Sequence, residues 1–331
     1  MKFLSLVFFF ISIQAGSLYS SNQELPFFIG QVPSPNAYSL FANGGWNGNW
    51  YVGYNTCWVQ KISVPAKGSI KRAFVGAKLG RAKSIPTQLE KPWIKKPIPG
   101  EIFVALSSTL SWKSSVPISL VSTEEIPLEG DMDNAVEGVG ESRWFWKEVP
   151  LNSIQFEADN FIALWSPTEQ FQSEQTAPIL AGAWGNNEIN SWLVQGIEGA
   201  PPTRFKSKQW QPVTVFEPAI ALKLIPEQTP PEPKVSIERV VDETALTKLV
   251  SKVLWCSAQG ESIERAWVEL SEDGQNWQRY GKFLWEAPFV FRVAVADIPI
   301  GSEGKSWVRV KAVDLFENVG TSSPMNVFER R

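Results

Sequence analysis

Two short stretches couple paired tryptophans to a cluster of asparagine and glycine. One is Ala42-Asn43-Gly44-Gly45-Trp46-Asn47-Gly48-Asn49-Trp50; the other is Ala183-Trp184-Gly185-Asn186-Asn187-Glu188-Ile189-Asn190-Ser191-Trp192. An indole is flat and apolar on its face, so it can stack on the hydrophobic face of a sugar ring. An asparagine amide both donates to and accepts from hydroxyls. Glycine-rich turns hold such groups at a loop surface. Trp46, Asn47, Trp50, Trp184, Asn186 and Trp192 are therefore the candidate ligand-binding residues, and a glycan or another envelope polymer is the ligand class. A second reading stands beside this one. Trp50 and Trp192 would begin strands and fill a core, with Asn and Gly acting as turn residues.

Other side-chain patterns are less specific. Trp144-Phe145-Trp146 puts two indoles on one strand face, a pattern of core or inter-sheet packing. Glu129-Gly130-Asp131-Met132-Asp133-Asn134-Ala135-Val136-Glu137 gathers carboxylates in a loop, but its spacing departs from the EF-hand pattern for calcium. It reads as a solvated acidic loop, with calcium left open. Between Lys61 and Lys96, ten cationic residues face the single acid Glu90. That run reads as a solvated surface screened by salt, with attraction to an anionic polymer or to the acidic loop as alternatives.

Enzyme chemistry is narrowed by one omission. The chain has no histidine. That removes Ser-His-Asp and Cys-His units, His-ligated zinc and axial haem ligation by His. No phosphate-cradling glycine loop is present, and no cofactor is expected. A glycosidase needs only two carboxylates about 5–9.5 Å apart, so the 34 acidic residues leave that class open.

Composition and charge set the frame. The 331 residues carry a net charge of −3, which argues against nucleic-acid binding. Lys2 followed by the apolar run Phe3–Ile13 and the small-residue site Ala15-Gly16-Ser17 reads as a secretory signal peptide over residues 1–17. No other segment is long and apolar enough to span a membrane as a helix. Cys57 and Cys256 are too few for a disulfide scaffold and fall in different halves; two separate thiols are expected, with a bridge between the halves as the alternative.

The elements that would position these residues are strands. Twenty-four prolines and 23 glycines punctuate short apolar runs, and no amphipathic helix is evident. Four prolines within 226–234 mark a linker. Before it, residues 18–225 hold runs at Tyr51–Ile62, Ala73–Leu79, Ile102–Ser107, Ser119–Ser122, Arg143–Val149, Phe161–Trp165, Ile179–Trp184, Ser191–Gly196 and Pro218–Ile225. Several are apolar at both parities, as strands buried on both faces are. They predict one large jelly-roll-like β-sandwich. After it, residues 235–331 hold runs at Lys248–Ala258, Ala266–Leu270, Phe289–Val295 and Ser306–Val313, with Asp273-Gly274 as a hairpin turn. Val268 to Trp277 and Val308-Arg309-Val310-Lys311-Ala312-Val313-Asp314 with Asn318-Val319-Gly320 resemble the hairpin and penultimate strand of bacterial immunoglobulin-like and fibronectin type III-like domains. That resemblance implies an immunoglobulin-like β-sandwich serving as a spacer or interaction module. It implies no chemistry. The larger part resembles carbohydrate-binding jelly rolls in architecture only.

The sequence thus predicts an all-β, exported, non-catalytic binding protein whose partner is a glycan at the cell envelope or outside the cell. A structural or adhesive protein making protein–protein contacts is the first alternative, and a carbohydrate-active hydrolase the second.

Overall fold

The computed structural model describes residues 28–32, 35–39, 50–88, 90, 95–129, 141–185, 187–245, 248–260, 263–285, 287–301 and 304–328. The signal-peptide segment and most of the acidic stretch lie outside them. The protein is all-β: three 3-10 turns are the sole helical elements among the described residues, and every strand pairing is antiparallel. No helix among them is long and apolar enough to cross a membrane.

The first domain is a sandwich. One sheet has six strands in the order Trp210–Val213, Ser191–Gln195, Thr56–Val64, Ala158–Trp165, Glu101–Ser107, Ile118–Ser122. The opposing sheet places Ile70–Gly80 between Ile220–Pro226 and Ser142–Val149, with Phe28–Ile29 outside Ile220–Pro226. Side chains alternate across a strand. In Thr56–Val64, Trp58 and Ile62 enter the core between the sheets, while Cys57 and Val59 enter a second cluster on the outer face. In Glu101–Ser107, Ile102 and Val104 point inward while Phe103 and Ala105 point outward. Double-sided burial therefore explains the apolar runs at both parities. The outer cluster is roofed by Trp112 and Trp210, stacked at 6.4 Å. Trp112 Nε1 donates to the Ala105 carbonyl at 3.1 Å, which pins the roof to the sheet.

The second domain sets the three-stranded sheet Lys234–Ala245, Lys248–Gln259, Phe289–Ala294 against a sheet ordered Gln278–Leu284, Ile263–Ser271, Trp307–Asp314, Val319–Thr321. Its core holds Leu254, Val268, Phe291, Val308 and Val310. The Asp273 carboxylate accepts from the backbone N–H groups of Asn276 and Gln275 at 2.7 and 2.8 Å, which holds its pKa well below the usual range. Gly274 takes φ +74°, as the Asp-Gly signal requires. Strand Lys234–Ala245 carries no clear apolar signal, because it is an edge strand studded with Glu238, Arg239, Asp242 and Glu243. Cys57 and Cys256 are both free thiols, and burial raises the pKa of each.

The domains are joined by more than the proline-rich segment. That segment is itself tied down. Asn318 Nδ2 donates to the Pro230 carbonyl at 3.0 Å, and a Cβ on Gly320 would sit 1.9 Å from the Pro233 oxygen. Lys223, only 1% exposed, leaves the first domain to pair with Glu317 of the second. Its ammonium also lies 4.9 Å from the Trp146 ring and 5.0 Å from Phe74. Glu264 and Arg265 close the joint from the second domain, and Trp285 packs edge-on against Phe145 at 6.1 Å. Lys223→Ala leaves Glu317 partly buried without its cation and should cost about 3–5 kcal/mol in urea unfolding. Combining Lys223→Met with Glu317→Leu should recover most of that loss. Burial raises the Glu264 pKa above 4.5, against the lowering charges of Lys223 and Arg265 and with the raising charge of Glu317. A raised carboxyl stabilises fully below its unfolded value and loses that contribution as pH rises. Stability should therefore decline from pH 4.5 upward, and Glu264→Gln should flatten that part of the curve.

Candidate functional site

The flanks of the first stretch meet the segment that leads into the second. Ser39, ahead of the first stretch, bridges to Gly182; the Trp50 carbonyl, at its far end, accepts from the Leu180 N–H at 2.8 Å. The second stretch begins within Gly182–Trp184. Gly182–Trp184 pairs with Phe216–Pro218, with Trp184 opposite Phe216 and Ala183 opposite Glu217. Gly185 and Asn187 are then strapped down. The Gly185 N–H donates to the Val215 carbonyl at 2.8 Å, and the Asn187 N–H to the Thr214 carbonyl at 3.1 Å. Asn187 adopts φ +66°, a conformation asparagine tolerates better than most side chains. A Cβ on Gly185 would lie 2.9 Å from the Thr214 oxygen, so this close approach favours glycine.

Trp184 is 75% exposed, the most solvent-accessible indole on the described surface. It rests against Phe216 at 4.8 Å. Phe216 meets Trp50 edge-on at 6.1 Å, and Trp50 lies 4.7 Å from Trp58. Trp58 is buried, and its Nε1 donates to the Tyr51 carbonyl at 3.0 Å. A ladder of aromatic contacts thus runs from the core to Trp184.

The remaining candidates separate. Trp50 is a core residue and cannot meet a ligand, because Phe216 and Trp58 cover its ring. Trp192 is half-buried on the outer face of the six-stranded sheet. It sits opposite Val59 in register and edge-on to Trp210 at 6.1 Å, on the face turned away from Trp58. Trp192 therefore belongs to a different surface from Trp184, and the two indoles do not form one platform. Trp46, Asn47 and Asn186 lie outside the described residues. Trp144 and Trp146 stack at 4.9 Å with a 10° tilt and pack against Phe28, as their spacing predicts.

Four of the ten cations between Lys61 and Lys96 are paired with a carboxylate among the described residues. Lys61 pairs with Asp159 at 3.7 Å, Arg72 with Glu148 at 2.7 Å, and both Arg81 and Lys83 with Glu129 at 3.0 and 2.6 Å. Lys78 Nζ donates to the Tyr38 carbonyl at 2.6 Å, and burial lowers its pKa to about 8. Glu129, first residue of the acidic stretch, thus answers the basic run directly. The rest of that stretch, 130–137, lies outside the described residues.

Glu217 and Gln60 at this site escaped the sequence reading, and Asn190 entered it only as part of the second stretch. Glu217, Asn190 and Gln60 are 1%, 2% and 0% exposed. The Asn190 carbonyl accepts from Gln60 Nε2 at 3.2 Å and from the Lys61 N–H at 2.7 Å. Burial raises the Glu217 pKa to about 7; the Asn190 amide works against that rise and the Glu188 charge adds to it. The Asn190 amide faces the carboxylate, yet neither Glu217 oxygen reaches full hydrogen-bond geometry with any group among the described residues. The signal for Glu217 was a lone acid between Phe216 and Pro218, inside an otherwise apolar segment.

No family model matches this chain, and no curated protein does. Several solved structures are similar in part. Pectate lyase Pel3 from Pectobacterium carotovorum is 16% identical over 30% of this chain and 28% of its own, with a TM-score of 0.22. A β-1,2-glucanase from Parabacteroides distasonis is 11% identical over 83% of this chain and 31% of its own, with a TM-score of 0.23. A β-glucuronidase from Ruminococcus gnavus is 9% identical over 89% and 38%, with a TM-score of 0.24. The chain spans well under half the length of each. Likeness at such scores carries no argument about activity.

Burial separates the two indoles experimentally. Trp50→Ala should cost about 3–5 kcal/mol in chemical denaturation, whereas Trp184→Ala should change stability by about 0.5 kcal/mol or less.

Proposed function

We propose that this chain is an exported, non-catalytic binding protein that recognises a glycan at the cell envelope or outside the cell, with Trp184 as the stacking residue. The observation that carries this reading is the exposed Trp184 ring, braced from behind by Phe216, Trp50 and Trp58. A ring held this way loses little conformational freedom when a sugar stacks on it, so more of the contact energy appears as affinity. Export is proposed from the N-terminal sequence pattern. The second domain fits a spacer. Its first, second and fifth strands form one sheet, and its fourth, third, sixth and seventh form the other. That order supports the resemblance to fibronectin type III-like modules. The buried Lys223–Glu317 joint would present both domains as one unit.

Catalysis is the weaker reading. A general acid must touch substrate, and the Glu217 oxygens have almost no solvent contact. An adhesive role has one observation in its favour. Trp255, under Arg239 at 4.4 Å, and Val241 are exposed on the three-stranded sheet of the second domain.

Pull-down on insoluble polysaccharides, with a glycan array and a reducing-sugar assay, tests these readings together. Trp184→Ala should abolish retention without altering thermal melting. Unchanged retention by Trp184→Ala, or release of reducing sugar by the wild type, overturns the proposal.

A further inference from the structure

The roof over the outer face of the six-stranded sheet carries charge as well as aromatic rings. Residues 108–117 and 199–216 build it. The first segment holds Lys113 and no acid. The second holds Arg204, Lys206 and Lys208 and no acid, since Glu198 and the buried Glu217 lie just outside it. Hydrogen bonds tie the two segments together. Ser111 Oγ donates to the Thr203 carbonyl at 2.6 Å, and the Trp112 N–H donates to the Pro202 carbonyl at 3.1 Å. Residues 206–209 close a turn, with the Gln209 N–H on the Lys206 carbonyl at 2.9 Å. All four cations are exposed. None of them forms an ion pair among the described residues.

An aromatic ring stands among these charges. Phe205, between Arg204 and Lys206 in the chain, is 51% exposed. Its ring lies 5.0 Å from that of Trp210, which in turn meets Trp112 at 6.4 Å and Trp192 at 6.1 Å. Trp112 and Trp210 are buried. Phe205 is thus the outermost ring of a packed cluster, with cations on either side of it.

We propose that Phe205, Arg204, Lys206, Lys208 and Lys113 bind an acidic polysaccharide on the outer face of the first domain. Charge is the first argument. Four like charges on two tethered segments repel one another, and a polyanion turns that repulsion into attraction. The concentration is local, because the whole chain carries a net charge of −3. Shape is the second. An acidic sugar has an apolar ring face and a charged rim; Phe205 suits the face and the cations suit the rim. A lipid surface fits less well. Insertion buries apolar side chains about 5–10 Å deep in the headgroup boundary, whereas Phe205 packs back onto Trp210 and the other rings of the cluster are buried or half-buried. Donor type is the third. Three of the four cations are lysines, compact point charges and not rigid forks, so the site reads charge density more than the geometry of the acidic group. Carboxylate and sulfate polymers both qualify. Trp184 takes no part, since it lies on a different surface from this cluster.

The test measures binding of the full chain to fluorescein-labelled alginate, dextran sulfate and neutral dextran at pH 7.5, by anisotropy. Both polyanions should bind, the more densely charged one tighter, and dextran should not. Affinity should fall about tenfold or more between 50 and 300 mM sodium chloride. The triple variant Arg204→Gln, Lys206→Gln, Lys208→Gln should weaken binding about tenfold at 50 mM and flatten the salt dependence. Phe205→Ala should weaken alginate binding about fivefold and leave the salt dependence in place. A control triple, Lys147→Gln, Lys234→Gln, Lys248→Gln, removes the same charge from exposed positions elsewhere and should stay within about twofold of the wild type. Trp184→Ala should bind the polyanions as the wild type does. Neutral insoluble polysaccharide reads Trp184 and these soluble polyanions read the basic patch, so either site can fail alone. The proposal is overturned by binding to neither polyanion, by equal losses in the two triple variants, or by unchanged alginate affinity in Phe205→Ala. Binding to phosphatidylglycerol vesicles without binding to either polysaccharide overturns it in favour of a lipid surface.

Discussion

Burying both faces of the six-stranded sheet is the constraint from which the rest of the first domain follows. A sheet with one wet face alternates apolar and polar residues. This one does not alternate, so something must cover each side. The opposing sheet covers the inner face. The segment carrying Trp112, together with Trp210 from the edge strand, covers the outer one. Large aromatic rings suit such a roof, since one indole covers as much surface as several smaller side chains and its N–H can still find a carbonyl. Two of the four tryptophans that looked available for a ligand are committed to packing instead. Trp50 fills the inner core and Trp192 the outer cluster. Trp184 lies beyond the roof, at the end of the ladder, and so remains exposed.

The joint between domains obeys a different rule. Lys223 stands in a strand whose neighbours are almost all buried apolar residues. Its charge is tolerable there only because the second domain delivers Glu317 and the rings of Trp146 and Phe74 face the ammonium. Burying such a pair contributes little net stability compared with an apolar pair of similar volume. What it contributes is specificity: any other docking of the second domain would strand the cation. The proline-rich segment works to the same end. Its Pro230 carbonyl is bound by the Asn318 side chain. Two sandwiches that could have swung freely are held in one arrangement.

Around Trp184 the structure concentrates the features that a packed core normally avoids. A carboxylate is buried without a cationic side chain, two amides are left open, and the backbone turns through a left-handed asparagine. Open buried polar atoms also occur at the domain joint, at Trp146 Nε1, Glu264 Oε1 and Arg265 Nε. The features around Trp184 lie at one edge of the sandwich, where Gly182–Trp184 pairs with Phe216–Pro218.

The sequence by itself determined the all-β class, since period-2 patterns and turn residues act locally. The paired sites Ile102–Ser107, Arg143–Val149 and Ser306–Val313 lie within a residue or two of the strands that form. It also determined the turns at Asp273-Gly274 and Asp314 to Asn318, whose hydrogen bonds span only a few residues. Edge strands such as Lys234–Ala245 were not legible, because charge there protects an open edge and mimics a loop. Only the tertiary structure decided which tryptophans meet solvent. Trp50 ends one Asn- and Gly-rich stretch and Trp184 opens the other, and their fates differ because of which strands pack over them. The same holds for Glu217. Its neighbour Glu188 is close in space though 29 positions away in the chain, and burial depends on contacts that no local pattern encodes.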